Sequence, residues 1–81
     1  MSIKDIIMPK VSNELEEAIL INWQVNVGDR VKKGDIIFNV ETEKTTLEVE
    51  SEYSGVILGI FIENGTKVPL FTVVGKMEID E

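Results

Sequence analysis

Hydrophobic residues occur along this chain in short runs that Gly, Asn, Asp and Pro interrupt. The runs cover residues 3–8, 18–23, 31, 36–40, 47–49, 56–62 and 73–79. Short apolar segments bounded by turn-forming residues are typical of an all-β sandwich or barrel. Residues 13–23 have a helical alternative, because Ser12 could cap a helix whose first turn is acidic. We favour a strand there, because Ile19, Ile21 and Trp23 alternate with their neighbours ahead of a turn-like segment.

The chain also contains an internal repeat at a shift of 37 residues, which places Gly65 on Gly28. The same shift aligns apolar positions: Val68 with Val31, Ile62 with Val25, Ile57 with Leu20, Val73 with Ile36, and Val74 with Ile37. Two strand-rich halves within one small domain predict a sandwich with pseudo-two-fold symmetry. The repeat is imperfect, because Phe71 falls where the first half has Gly34.

The repeat makes a geometric prediction about the chain ends. It pairs Lys44 with Glu81 and Thr45 with Met8. Both chain ends are therefore expected at the end of the molecule opposite Lys44. A tether leaving the C-terminus would then hold the domain with Lys44 pointing away from it.

The alternation of side chains changes phase around Lys44. The inward candidates before it are even-numbered (Ile36, Phe38, Val40), whereas those after it are odd-numbered (Leu47, Val49). A continuous strand keeps its parity, so the chain must be interrupted between residues 41 and 46. A tight reversal is our preferred interpretation, and a β-bulge is the alternative.

A lysine at the tip of such a hairpin extends into solvent. Glu41 and Glu43 flank it, and nothing nearby is expected to desolvate its ammonium group, which makes Lys44 a poor nucleophile or general base for catalysis by the domain itself. Accessibility suits a substrate of a modifying enzyme. An ordinary surface lysine is the other interpretation of position alone.

Composition narrows the function classes further. The 81 residues are enough for one domain, predicted to span 1–81, and they include no Cys and no His. We therefore predict neither catalytic residues nor a metal site. A net charge of −7 disfavours nucleic acid and anionic membranes as partners. The apolar runs are too short to span a bilayer and no targeting segment is visible, so a cytoplasmic location is expected.

The segment Val-Glu-Thr-Glu-Lys-Thr that contains Lys44 resembles the lipoyl-attachment motif of the acyltransferase (E2) family of 2-oxo acid dehydrogenase complexes, usually written E-T-D-K-A. The resemblance extends over nearly the whole chain. It includes Met8-Pro9-Lys10, Glu17-Ala18-Ile19 with Trp23, Gly28-Asp29-Arg30-Val31 with Gly34-Asp35, and Glu48-Val49 with Ser51 and Gly55. The family's glycines sixteen residues before and eleven after the modified lysine match Gly28 and Gly55. This chain departs from the pattern at Glu43, Thr45 and Phe71, where the family usually has Asp, Ala and Gly.

The resemblance implies a flattened barrel-sandwich hybrid of two four-stranded antiparallel sheets. It implies lipoic acid in amide linkage to Lys44, with Glu41, Thr42, Glu43 and Thr45 recognised around the tip. The lipoylated lysine would act as a swinging arm that shuttles acyl groups. The implied partners are a lipoate ligase or lipoyl transferase, a thiamine-diphosphate-dependent E1 component, the E2 acyltransferase core and dihydrolipoamide dehydrogenase. The domain itself would carry and not catalyse.

Two alternatives remain at this level. Biotinyl carriers share this fold but resemble Met-Lys-Met at the tip, and an unmodified adaptor module would need no lysine chemistry. The other conspicuous residues have structural interpretations. Gly28, Gly55 and Gly65 are assigned to turns or close backbone approach, Trp23 to the core or its edge, and Met8 and Met77 to gap filling.

Overall fold

The computed structural model describes residues 2–80, and its regular elements are eight β-strands. They are β1 (Ser2–Ile7), β2 (Glu17–Ile21), β3 (Arg30–Val31), β4 (Ile36–Glu41), β5 (Thr46–Glu50), β6 (Gly55–Ile60), β7 (Thr66–Pro69) and β8 (Val73–Ile79). The preferred strand interpretation of residues 13–23 is confirmed by β2, and residues 13–16 belong to the preceding loop. The segment that forms β7 is absent from the predicted apolar runs, because Val68 is its only strongly apolar buried residue.

The strands form two antiparallel four-stranded sheets, in the orders β1-β8-β6-β3 and β5-β4-β2-β7. This arrangement confirms the predicted all-β sandwich. The buried side chains between the two sheets form one cluster that includes Leu20, Phe38, Ile57 and Val74, all fully inaccessible. Burying a side chain of this size contributes about 1.5–3 kcal/mol, so the sheet-to-sheet contact supplies most of the stability of a chain without disulfides.

The predicted roles of the large core residues hold. Met8 and Met77 are buried, as expected for gap fillers. Trp23 lies half-buried at the core edge, with its ring centroid 4.9 Å from that of Phe38. Its indole Nε1–H donates to the Ile62 carbonyl at 2.9 Å, which satisfies the polar end of the ring.

Backbone hydrogen bonds demonstrate the two-fold symmetry. The Gly28 amide donates to the Ile57 carbonyl at 2.8 Å, and the Gly65 amide donates to the Leu20 carbonyl at 2.7 Å. The 37-residue shift converts each bond into the other, because it places Gly28 on Gly65 and Leu20 on Ile57. Both glycines have positive φ, +94° and +88°, so each occupies a turn conformation that other residues adopt only at a cost.

Gly55 serves a different purpose from these two turn glycines. It is buried at the start of β6, between Val31 and Ile79 of the neighbouring strands. A Cβ at this position would collide with the backbone carbonyl of Glu78 and lie 2.8 Å from the Ile79 Cα. Of the two roles predicted for the glycines, Gly55 therefore has close backbone approach, and its assignment as a turn residue is wrong.

The predicted pairing of Thr45 with Met8 is also wrong. The Met8 amide donates to the Thr72 carbonyl at 2.9 Å, and the Ser51 amide donates to the Asp35 carbonyl at 2.7 Å. These two bonds correspond to each other under the two-fold symmetry. Their acceptors, Asp35 and Thr72, are 37 residues apart, as the repeat predicts, but their donors, Met8 and Ser51, are 43 residues apart, so Met8 corresponds to Ser51 and not to Thr45. The register changes because nine residues connect β1 to β2, whereas four connect β5 to β6. The other predicted pair, Lys44 with Glu81, involves a residue outside the described range.

The described ends of the chain lie far from Lys44, as predicted. The Asp80 amide donates to the Ser54 carbonyl at 2.8 Å, and the Ser54 hydroxyl accepts from the Lys33 amide at 3.0 Å. These residues lie beside the start of β4. Since β4 runs six residues toward Lys44 at about 3.3 Å per residue, the two locations are roughly 20 Å apart.

Two of the predicted inward positions differ in the structure. The pairing of β4 with β5 shifts between Ile36 and Phe38, and this irregularity buries Ile37 while Ile36 is only half-buried. Leu47 is 36% exposed, because it lies near the end of outer strand β5, where only β4 pairs with it. Phe38 and Val40 are fully buried, and Val49 is half-buried.

Candidate functional site

Strands β4 and β5 form a hairpin that presents Lys44 at its tip. They pair antiparallel, and the last pair before the tip is Glu41 with Thr46. Residues 42–45 connect the strands with no positive φ among them. The parity change in the sequence is therefore a chain reversal, as predicted, and it needs no glycine.

The Thr42 side chain organises this turn. Its hydroxyl oxygen accepts from the Lys44 amide at 3.3 Å and from the Thr45 amide at 3.2 Å. The same hydroxyl lies 3.2 Å from the Thr45 carbonyl, to which it donates. One backbone bond, from the Thr42 amide to the Thr45 carbonyl at 2.9 Å, completes the turn. The hydroxyl thus accepts hydrogen bonds from backbone amides two and three residues later in the chain. These bonds replace the main-chain hydrogen bonds of a tighter turn.

The Lys44 ammonium group extends into solvent. Its side chain is 86% exposed, and the Nζ atom lies 4.0 Å from a carboxylate oxygen of Glu14. Glu41, Glu43 and Thr45 are exposed around it, and Thr42 is half-buried. An exposed pair at this distance holds the lysine weakly, by about 0–1 kcal/mol. The amine is therefore free to enter the active site of another protein.

The connection between β1 and β2 lies beside the tip. Val11, Ser12, Glu14 and Leu15 line a shallow cavity of about 120 Å³ together with residues 42–45. The Ser12 hydroxyl accepts from the Glu14 amide at 3.1 Å, which fixes the local turn of this connection. The sequence pattern alone does not assign these residues to the site. The available signal was the longer β1–β2 connection, which disrupts the internal repeat on one side.

The predicted tip residues are thus brought together, whereas Gly28, Gly55 and Gly65 act within the scaffold. Among residues 2–80, no group of three or more His, Cys, Asp or Glu side chains is arranged to hold a metal ion. What the tip offers chemically is one accessible primary amine on a well-ordered support.

No helix in the described part of the chain is long and apolar enough to span a membrane.

Comparison with known families gives one matching model. It is the Biotin_lipoyl model, described as biotin-requiring enzyme, and it covers residues 4–77.

Curated relatives include components of two dehydrogenase complexes. The dihydrolipoyllysine-residue acetyltransferase component of the pyruvate dehydrogenase complex of Rhizobium meliloti is 43% identical over 63 residues, which cover 78% of this chain and 14% of that protein. The dihydrolipoyllysine-residue succinyltransferase component of the 2-oxoglutarate dehydrogenase complex of Cupriavidus necator is 30% identical over 80 residues, covering 99% of this chain and 19% of that protein. The chain thus spans less than a fifth of the length of these relatives.

A solved structure also resembles this chain over nearly its full length. It is the solution structure of the lipoyl domain of the 2-oxoglutarate dehydrogenase complex of Azotobacter vinelandii, with a TM-score of 0.75 and 30% identity. The match covers 91% of this chain and 94% of that one.

Proposed function

This chain belongs to the biotin and lipoyl attachment family as a lipoyl domain of the 2-oxo acid dehydrogenase type, and on that premise we propose that Lys44 carries covalently bound lipoic acid. The observation that carries the proposal is the position of the amine. Lys44 lies at the tip of a hairpin, 86% exposed, within the segment that resembles the family's attachment motif.

The residues at the tip fit this cofactor. Attachment requires an amine that reaches the activated carboxyl group held by a ligase, and neither a strand nor a bulky side chain covers the Lys44 amine. The deprotonated amine attacks the activated carboxyl carbon, and the amide C–N bond forms at Nζ as the bond to the activating group breaks and that group leaves. The ammonium nitrogen gives up two protons in total, so Lys44 loses its positive charge. The weak interaction with Glu14 is lost with it, and the side chain is released from its neighbour in the β1–β2 connection.

The lipoyl group supplies thiol and disulfide chemistry when it is bound. The chain's own contribution is position. The turn around Thr42 keeps Lys44 at the end of the molecule, and the paired strands β4 and β5 keep that turn attached to the core. The domain therefore acts as a carrier that delivers one side chain to other active sites, without catalytic residues of its own.

The proposed partners follow from the relatives. A lipoate ligase or lipoyl transferase modifies Lys44, and Glu41, Thr42, Glu43 and Thr45 are the residues it contacts around the tip. The loaded domain then serves a thiamine-diphosphate-dependent E1 component, an E2 acyltransferase core and dihydrolipoamide dehydrogenase. Support comes from relatives named as acyltransferase components of pyruvate and 2-oxoglutarate dehydrogenase complexes. The cytoplasmic location and the single domain over 1–81 stay predictions from the sequence.

Replacement of the proposed attachment residue tests this function. Lys44→Arg removes the acylatable amine but keeps a cation on an exposed turn, so we expect loss of lipoylation with the fold unchanged. The domain is incubated with a purified lipoate ligase, lipoate and ATP, and intact mass and circular dichroism are measured. Lys76→Arg is the control, because Lys76 is also exposed but lies within β8. A lipoyl adduct on Lys44→Arg, or unfolding of that variant, would contradict the assignment.

Biotin is the second candidate, and the description of the matching family model favours it specifically. The tip argues against it, because Glu43 and Thr45 stand where biotinyl carriers have methionines. A parallel incubation with a biotin ligase, biotin and ATP separates the two, since the adducts differ in mass. We expect the lipoyl adduct alone.

A further inference from the structure

A second concave surface lies along the side of the sandwich, away from the tip. It is a groove of about 210 Å³ between β1 and β5, the outer strands of the two sheets. Ile7, Ile37, Val49 and Phe71 contribute to its apolar lining. None of residues 42–45 takes part, so this groove is separate from the attachment site.

Phe71 lies on the rim of the groove in an unfavourable backbone conformation. Its φ is +68°, and its counterpart in the other half, Gly34, has φ +99°. The turn therefore requires a left-handed residue, which is costly for an aromatic side chain. The side chain is also 60% exposed, so little core packing compensates for the strain. Persistent strain of this kind is a reason to look for a binding role.

The neighbouring residues extend this apolar rim. Ile7 is 40% exposed and Val73 is 38% exposed, and the two are direct partners across β1 and β8. Ile7 and Phe71 both line the groove, and Val73 adds exposed apolar surface beside Ile7. Exposed apolar surface at the edge of a groove is typical of an interaction site.

The polar part of the groove is acidic. Three acidic residues, Asp5, Glu50 and Glu52, line it, together with one basic residue, Lys10. Glu50 and Glu52 have no cation within 4.0 Å in the described part of the chain, so their charges are available to a partner. A positively charged ligand complements this surface, whereas a second copy of this acidic chain is repelled by it.

The backbone of β5 defines the shape of that ligand. Because β5 is the outer strand of its sheet, one side of its main chain has no strand partner among residues 2–80. An extended peptide can pair with such an edge and place alternate side chains toward the groove.

We propose that this groove binds an extended, lysine- or arginine-rich segment of a partner protein, which inserts an apolar side chain beside Phe71 and pairs its backbone with β5. This interaction is independent of the modification state of Lys44, because no residue of the tip lines the groove. It gives the domain a docking site that remains available while the tip is engaged elsewhere.

The probe is a synthetic, end-blocked octapeptide that alternates lysine with valine and leucine, titrated into the ¹⁵N-labelled domain. We expect amide shifts at Val49, Glu50 and Phe71, with protection of the β5 amides from hydrogen exchange. Phe71→Gly and Phe71→Asn each introduce a residue that tolerates positive φ. Both variants should therefore fold, and both lack the aromatic anchor. Affinity should fall about tenfold or more in both, as for a central anchor of a small interface. A double variant that carries Glu50→Gln and Glu52→Gln should bind the octapeptide several-fold more weakly, and its binding should depend less on salt concentration.

Matched controls lie outside the groove. Phe61→Ala removes another exposed aromatic ring, and Glu63→Gln removes another exposed carboxylate. Both should bind the octapeptide as the unaltered domain does, and a version of the peptide with glutamate in place of lysine should not bind. The proposal is overturned if the peptide causes no shifts in the groove at mM concentration. Equal shifts at Glu41 and Glu43, or undiminished binding by Phe71→Gly, would likewise refute it.

Discussion

Removal of the Thr42 hydroxyl should loosen the tip without unfolding the domain. Thr42→Val keeps the shape of the side chain and eliminates its three hydrogen bonds, two accepted from the Lys44 and Thr45 amides and one donated to the Thr45 carbonyl. Their distances of 3.2–3.3 Å are longer than the usual 2.9–3.0 Å, so each contributes less than a typical hydrogen bond. Together they stabilise the turn by about 1 kcal/mol.

That energy corresponds to a roughly fivefold larger open population of the turn, since 1.4 kcal/mol is a factor of ten. The backbone bond from the Thr42 amide to the Thr45 carbonyl remains, and so does the pairing of β4 with β5. The free energy of global unfolding should therefore change by less than about 1 kcal/mol, because opening at a loop tip is local. We expect a few-fold slower reaction with lipoate ligase, since Lys44 spends less time in the ordered turn.

Native-state hydrogen exchange is the direct assay, because the Lys44 and Thr45 amides are the groups that lose their acceptor. Their exchange should accelerate about fivefold, while amides in β8 keep their rates. Thr42→Ser retains the hydroxyl and should restore slow exchange. Thr45→Val is the matched control, since among the described residues the Thr45 hydroxyl donates in a single long contact, 3.5 Å to the Thr46 carbonyl. Unchanged exchange in Thr42→Val, or equal acceleration in Thr45→Val, would refute this account of the turn.

Two further predictions concern the scaffold. Gly55→Ala should destabilise the domain by about 3 kcal/mol in urea unfolding, because the added Cβ meets the backbone of β8, which cannot yield without shifting the strand. Gly28→Ala should cost only about 1 kcal/mol, since in the described structure no atom beyond its chain neighbours lies within 4 Å of the added Cβ, and the penalty is its φ of +94°. Equal losses in the two variants would contradict the distinction. Trp23→Phe should lower the free energy of unfolding by about 1 kcal/mol or more, because the Ile62 carbonyl loses its indole donor. A variant as stable as the unaltered domain would show that this bond contributes nothing.

The sequence predicted those features that depend on local patterns. Alternation and glycine placement are properties of single strands and turns, so the two-sheet sandwich and its two-fold symmetry were accessible from the chain alone. The parity change around Lys44 required a reversal, and the hairpin provides it. The tip is therefore the part of the candidate site that sequence reasoning located.

The missed features depend on contacts between distant segments. Glu14 lies beside Lys44 because the β1–β2 connection is longer than its counterpart, and the sequence does not indicate in which direction the additional residues extend. Ile37 replaces Ile36 in the core because the register of β4 and β5 shifts there, which no periodicity shows. The conformation of Phe71 was accessible in part, since the repeat places it on Gly34, but its exposure beside a groove depends on β1 and β5 together.

The two-fold symmetry indicates that the turn at the tip is not what aligns β4 with β5. The pair Glu41 with Thr46, just before the turn, corresponds to the pair Glu78 with Ile3 in the other sheet. There β8 and β1 keep their register out to Ser2 and Ile79, although they are not consecutive along the chain. Strand pairing and the core therefore set this register without a connecting turn. By the same argument, residues 42–45 are not needed to align β4 with β5. Within this turn, the Thr42 hydroxyl orders the backbone through its hydrogen bonds, whereas the alignment of the two strands depends on their pairing and on the core.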